Sequence, residues 1–185
     1  MSPKCQMREF RNIALTGFMA TGKSTVGREL AMMLGWIFVD TDDEIATHEG
    51  LSVQQIFEMK GEEVFRKIEE EVMQKVTSHE KCVISCGGGA ILSERNRLLL
   101  RESSYTIWLY NSIETTIERN RSKFRPLLSC SNPLEKAIRL YKEREHLYSG
   151  TCDYSVCTEN LTPKGVAKAL AEHFGNVSSK DTFPE

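Results

Sequence analysis

The chain has no apolar run long enough to cross a bilayer. Its longest, AMMLGWIFV at 31–39, falls far short of the roughly 20 residues that a transmembrane helix needs. The N-terminal MSPKCQMREF has no apolar segment of the signal-peptide kind either, so the expected setting is soluble and cytoplasmic, with no membrane partner. Nor is there a surplus of positive charge. The 24 lysines and arginines face 26 aspartates and glutamates, for a formal net charge of −2. That balance supplies no field for gripping a nucleic-acid backbone, so no nucleic-acid partner is expected and any anion must be held by local arginines. No Pro/Ser-rich linker or internal repeat divides the 185 residues, which suit one domain, 1–185, expected to act as a monomer. The six cysteines match no zinc spacing: Cys82 with Cys86 and Cys152 with Cys157 are near neighbours, while Cys5 and Cys130 stand alone. Reduced thiols serving as small buried hydrophobes are the expectation.

What is present begins with GFMATGKST, residues 17–25. Gly17, Gly22, Lys23 and Ser24 fit G-x-x-x-x-G-K-[ST], after the apolar Ile13, Ala14, Leu15 and before a helix-patterned segment. Glycines let backbone N–H groups turn inward around an anion, and the helix starting near Lys23 adds its positive dipole end. Lys23 is placed to reach the β- and γ-phosphates and the Ser24 hydroxyl to coordinate Mg²⁺. A Gly-rich turn before a helix is the bland alternative, and the strand-loop-helix context weighs against it. The implied ligand is a nucleoside triphosphate, held by Ala20, Thr21, Gly22, Lys23, Ser24 and Thr25.

Strand-like runs recur between amphipathic segments: NIALT, WIFVD at 36–40, KCVIS at 81–85, YTIWLY at 105–110 and DYSVC at 153–157. The alternation predicts an α/β chain with a parallel sheet. In EEVFRKIEEEVMQKV, Phe65, Ile68, Val72 and Val76 recur at spacings of three and four, one buried stripe on a helix. GVAKALAEHF after Pro163 reads as a last helix, with a frayed tail from about 175 to 185. Ligands of open parallel sheets collect at the carboxyl ends of the strands. Four of the five ends carry useful residues: the phosphate loop, Asp40-Thr41-Asp42, Gly87-Gly88-Gly89, and an arginine-rich segment after the fourth strand.

Each of these has two readings. Asp40 and Asp42 alternate along a strand end, so one can hold a metal-bound water while the other accepts a hydroxyl proton; either can instead cap a helix beginning at Asp43 or Glu44. Arg66 and Glu69, three apart on a helix, share a face as a surface ion pair or as part of a site. The glycine run is a flexible turn or a place where backbone approaches a ligand closely. ERNRSKFRPLLSCSNP, 118–133, holds Arg119, Arg121, Lys123 and Arg125. It is a solvated basic loop, or a lid that closes over the nucleotide and brings Arg125 to the transferring phosphoryl group.

In GFMATGKSTVGR, DTDDEI, GEEVFRKIE, the GGG triplet, RPLL and the REHLY segment, the chain resembles the shikimate kinases from about Arg11 to Phe174. The resemblance implies a P-loop kinase three-layer α/β/α sandwich, with a five-stranded parallel sheet of order 2-3-1-4-5 and a lid at about 118–133. It implies transfer of the ATP γ-phosphoryl group to the 3-hydroxyl of shikimate, in aromatic amino acid biosynthesis, with Mg²⁺ as cofactor. On it Asp42 holds the acceptor hydroxyl, Arg66 and Arg144 bind the shikimate carboxylate, and Glu69 orients Arg66. The glycines, chiefly Gly88, let backbone contact the ring hydroxyls. Ser24 and, through water, Asp40 hold Mg²⁺; Lys23 spans the phosphates; Arg125 stabilises transferred charge; Arg119 lies against the adenine. The chain departs from the family pattern at Ala20, where a further glycine is usual, at His146 and Gly150, which stand where a proline and an acidic residue are common, and at Asn160. A related sugar-acid kinase, such as a gluconate kinase, has no need of DTD, FRxxE and GGG together. A non-catalytic nucleotide-binding module would be expected to lack Lys23, Asp42 or Arg125.

Overall fold

The computed structural model describes residues 10–120 and 133–180. Five strands, β1 (Asn12–Thr16), β2 (Ile37–Asp40), β3 (Cys82–Ser85), β4 (Ser104–Tyr110) and β5 (Tyr154–Cys157), form one sheet in the order β2-β3-β1-β4-β5. Every pairing is parallel. The strands sit within a residue of the runs read from the sequence. β3 begins only at Cys82 because Lys81 adopts a left-handed conformation, φ 54, which an extended strand does not accept.

Period-two alternation sends side chains to both faces, and each face has its own apolar cluster. Ile13 and Leu15 of β1, Val83 of β3, and Ile107 and Leu109 of β4 pack against α1 (Lys23–Leu34) and α7 (Pro163–Lys180). Ala14, Cys82 and Ile84 face the opposite way, toward α3 (Val53–Thr77), α4 (Glu94–Ser103) and α6 (Pro133–Thr151). The arrangement is a three-layer α/β/α sandwich. Phe65, Ile68, Val72 and Val76 are all buried in the second cluster, as their spacing predicts. The helix that carries them is longer than the 62–76 stripe and is broken at Gly61, whose φ 81, ψ 170 is non-helical. The stretch before the break, from Val53, carries Val53 and Phe57, which line a cavity at the carboxyl edge of the sheet.

Three local expectations change. The helix after β2, α2 (Thr41–Glu49), starts at Thr41 rather than Asp43 or Glu44, because Asp40 Oδ1 accepts the Asp42 N–H at 3.1 Å and makes Asp40 the N-cap. Asp42 thus stands in the first helical turn, off the strand. The last helix runs on to Lys180, with no proline or glycine between 176 and 180 to stop it, so helical backbone replaces the first part of the expected frayed tail. Glu118 and Arg119 belong to α5 (Ile113–Asn120) rather than to a loop. Arg121, Lys123 and Arg125 lie outside the described residues. His146 and Gly150 leave α6 continuous to Thr151. Cys82 and Cys86 are buried free thiols and Cys152 and Cys157 are half-buried. Among the described residues no helix is long and apolar enough to cross a membrane.

Candidate active site

β1 delivers the phosphate loop to the carboxyl edge of the sheet. Gly17 (φ 139), Ala20 (φ 59) and Gly22 (φ 92) all take positive φ, so the loop does place an alanine Cβ where a glycine would be unstrained. Thr21 is buried and its hydroxyl donates to Phe18 O at 3.0 Å, bracing the turn. Lys23 Nζ donates to Gly17 O and Phe18 O, both at 2.8 Å. The ammonium is thereby stretched across the loop that would surround a phosphate. Ser24 Oγ lies 3.4 Å from Ser85 Oγ at the end of β3.

Three cavities adjoin along this edge. Ala20, Thr21, Gly22 and Val26 line the first with Arg119, Thr158, Leu161, Pro163 and Val166. Arg119 reaches back to Ala20 O (3.4 Å) and Thr158 O (3.3 Å), which fastens α5 to both walls. Asn160, left-handed at φ 57 in the turn before α7, is not among the lining residues. The second cavity gathers Ala20, Gly22, Lys23, Ser24, Thr25, Asp40, Asp42, Ser85 and Gly88. The third is lined by Asp42, Arg66, Glu69, Gly87, Gly88, Gly89 and Arg144, with an apolar wall of Met19, Val53, Phe57 and Phe65. It is a small, open cleft with a cavity volume of about 90 Å³. Met19, Asp42 and Gly88 line both the second and the third, so Asp42 stands at their junction.

The third cavity is charged and buried. Arg66 Nη1 meets Glu69 Oε2 at 2.7 Å and Arg66 Nη2 meets Glu62 Oε1 at 3.0 Å. Glu69 is only 1% exposed, which excludes the ordinary surface ion pair. Burial pushes the Glu69 carboxyl up to about 7 against the pull of Arg66 and Arg144, with Asp42 adding to the rise. Burial works against the Arg66 charge too, but the carboxylates of Glu69 and Glu62 hold its pKa above the ordinary value. Glu69 Oε1 has no hydrogen-bond partner among the described residues. Arg144, 4% exposed, donates to Gly88 O at 3.2 Å and has no carboxylate within ion-pair distance among the described residues. A buried guanidinium whose nearest acidic neighbour, Glu69, acts on it only at a distance has donors to offer an anion.

The glycine run is there for space. None of the three has positive φ, but a Cβ on Gly87 would sit 2.7 Å from Asp42 Oδ1, and one on Gly89 would overlap the Arg66 guanidinium. Gly88, expected to matter most, has ordinary room, 3.6 Å from the nearest atom. Its carbonyl is engaged by Arg144 and by the Tyr148 hydroxyl. The Gly87 N–H is taken by Thr41 Oγ1 at 2.8 Å. The N–H groups of Gly88 and Gly89 have no acceptor among the described residues and are left for a ligand.

All described residues expected at the site meet at these three cavities; only Arg125 falls outside the described residues. Ser85 and the wall of Val53 and Phe57 were missed, while Thr41 was named at its strand end without its bond to Gly87 and Met19 lay in the phosphate-loop segment without its place on the wall. Phe57 meets the Phe65 ring, centroids 4.5 Å apart, across the break at Gly61, a contact that helical spacing does not give.

A sequence model of the shikimate kinase family matches residues 19–174. A shikimate kinase of Actinobacillus pleuropneumoniae serotype 5b is 40% identical over 172 residues, covering 92% of this chain and 99% of that one. One from Vibrio parahaemolyticus is 41% identical over 167 residues, 90% and 97% of the two chains. Among solved structures, shikimate kinase from Acinetobacter baumannii in complex with shikimate superposes with a TM-score of 0.88 at 36% identity, covering 95% of this chain and 97% of that one. The phosphate loop, the junction carboxylate, the half-buried Arg66 and the buried Arg144 are thus found in a chain that matches these proteins nearly end to end, and the chain belongs to the shikimate kinase family.

Proposed function

We propose that this chain transfers the γ-phosphoryl group of ATP to the 3-hydroxyl of shikimate, giving shikimate 3-phosphate and ADP. The observation that carries the reading is the third cavity: two guanidiniums, Arg66 and Arg144, lie beside an acidic group that also borders the phosphate cavity. A compact acid bearing ring hydroxyls fits that set. Its carboxylate is held by Arg66 and Arg144, with Glu69 fixing the Arg66 fork, and its hydroxyls meet the free N–H groups of the glycine run and Asp42.

Asp42 orients the 3-hydroxyl and takes its proton as the new oxygen–phosphorus bond forms and the bond from the γ-phosphorus to the bridging oxygen of ADP breaks. Lys23 offsets the charge of the β- and γ-phosphates. The base lies in the first cavity, against Arg119. Ser24 and Asp40 fit Mg²⁺: both line the phosphate cavity, and one Asp40 oxygen caps α2 while the other remains for a metal-bound water. Among the described residues no three His, Cys, Asp or Glu side chains form a cage of their own. Mg²⁺ commonly binds through one or two protein oxygens together with phosphates, and there it neutralises phosphate charge. Arg125 keeps the part given it by resemblance, as the cation that stabilises the transferred group. The reading also has the chain act as a cytoplasmic monomer with one domain.

Coupled ADP release, measured with and without shikimate, tests the proposal. Release that depends on shikimate supports it. Release equally fast without shikimate, or faster with a sugar acid such as gluconate, would refute it.

A further inference from the structure

Tyr148 lies one turn beyond Arg144 on α6 and lines none of the three cavities. Its hydroxyl donates to the Gly88 carbonyl at 2.6 Å, the same oxygen that receives Arg144 Nη1 at 3.2 Å. The ring is 1% exposed and lies parallel to Trp108 of β4, centroids 6.1 Å apart at 13°. Burial raises the phenol's pKa, though Arg144 opposes the rise, so the hydroxyl stays a donor throughout the working pH range. A carbonyl oxygen has two lone pairs and can accept both donors.

The geometry has a consequence for the cavity. Glycines carry no side chain that fixes their peptide planes, so this run depends on its hydrogen bonds. Thr41 holds the Gly87 N–H from α2, and Tyr148 holds the Gly88 carbonyl from α6. The peptide after Gly88 is trans, so fixing its carbonyl toward Tyr148 sends the Gly89 N–H the opposite way. Without the phenol, Arg144 would be the one donor left to that carbonyl among the described residues, and the guanidinium would be drawn toward that oxygen. We propose that Tyr148 is a positioning residue for the acceptor: it holds the peptide between Gly88 and Gly89 so that the Arg144 guanidinium and the Gly89 N–H keep their places for the shikimate. This rests on the reading of the third cavity as the shikimate site.

Tyr148→Phe keeps the ring against Trp108 and removes only the hydroxyl. The shikimate KM should rise about fivefold to tenfold, the size of one net hydrogen bond, with the ATP KM within about twofold of the parent. In an Arg144→Lys background the same change should add less than about twofold, because the two act through one oxygen. Trp108→Phe, which loosens the support of the phenol without touching the carbonyl, should shift the shikimate KM in the same direction. A Tyr148→Phe protein that melts earlier but keeps both KM values would make the tyrosine a packing residue and overturn the proposal. So would full additivity with Arg144→Lys. An unchanged shikimate KM in Trp108→Phe would contradict it even if Tyr148→Phe could not be recovered folded. Failure of the parent itself to release ADP in response to shikimate would instead refute the assignment of the cavity.

Discussion

The phosphate loop and the acceptor cavity share Met19, Asp42 and Gly88 as borders, yet they are built of different materials. The loop is backbone: nine consecutive residues, three of them at positive φ, with one lysine drawn across two carbonyls. The acceptor cavity is side chain: Asp42 from α2, Arg66 and Glu69 from α3 and Arg144 from α6, packed onto a backbone stripped of Cβ atoms to admit them. Backbone N–H groups recognise phosphate whatever it is attached to. Buried charges held in a fixed geometry recognise one arrangement of carboxylate and hydroxyls. General binding sits at one end of the site and selectivity at the other, and substitutions at the two ends should fail differently.

The largest effect is expected where the ends meet. Asp42→Asn keeps the shape and removes the negative acceptor, so turnover should fall about 10²- to 10⁴-fold. Mg-ATP binding, followed by nucleotide fluorescence or calorimetry, should survive. Turnover within about twofold of the parent would place the acceptor hydroxyl elsewhere.

Glycine and alanine exchanged in opposite directions sharpen the contrast. At the acceptor end, Gly89→Ala drives a Cβ into the Arg66 guanidinium, and the strain should raise the shikimate KM about tenfold while sparing that for ATP. Steady-state kinetics with each substrate varied in turn would show it. Equal shifts in both constants would mean that the run supports the whole edge rather than the acceptor alone.

Proton linkage gives a subtler difference. Glu69 titrates at about 7 in the fold against an ordinary 4.5, burial being the main cause. The folded chain therefore holds a proton that the unfolded chain gives up as pH rises from 4.5 toward 7. This contribution to stability is complete below the lower value and is lost on approach to the higher one. Glu69→Gln should flatten the fall of melting temperature between pH 5 and 7, read by thermal melts in a buffer series. Parallel curves for parent and variant would show that Glu69 is ionised across the range.

The smallest effect belongs to the nucleotide end. Ala20→Gly relieves a left-handed alanine, φ 59, which costs about 1–2 kcal/mol, but it also adds freedom to the unfolded chain. A gain of about 1 kcal/mol or less in stability is expected, with the ATP KM within about twofold of the parent. A large loss of ATP affinity would mean that the Ala20 side chain itself contacts the nucleotide.

The same contrast explains what could be read from the sequence. The phosphate loop is written in consecutive residues, and the strand runs alternate clearly enough that β1 was found to the residue. The acceptor cavity is assembled from segments as far apart as Asp42 and Arg144, and spacing alone left Arg66 with Glu69 as readily a surface pair as a site. Resemblance brought those residues together; the fold adds the burial that makes them selective. The bond of Thr41 to Gly87, the part of Tyr148 and the wall of Met19, Val53 and Phe57 stayed hidden because they depend on what packs across from them. The start of α2 was misplaced because Asp40 and Asp42 were both candidate caps, and the pattern does not say that Asp40, which also ends β2, is the one that serves.

Arg66→Lys tests most directly whether selectivity resides in the charges of the acceptor cavity. An ammonium keeps the charge but cannot fork onto a carboxylate in two parallel bonds or hold Glu69 and Glu62 at once as Arg66 does. With both KM values measured on purified protein, that for shikimate should rise about tenfold to a hundredfold, the worth of one lost charge-assisted bond. That for ATP should change by about twofold or less. Equal changes in the two constants would contradict the division of the site into a general end and a selective one.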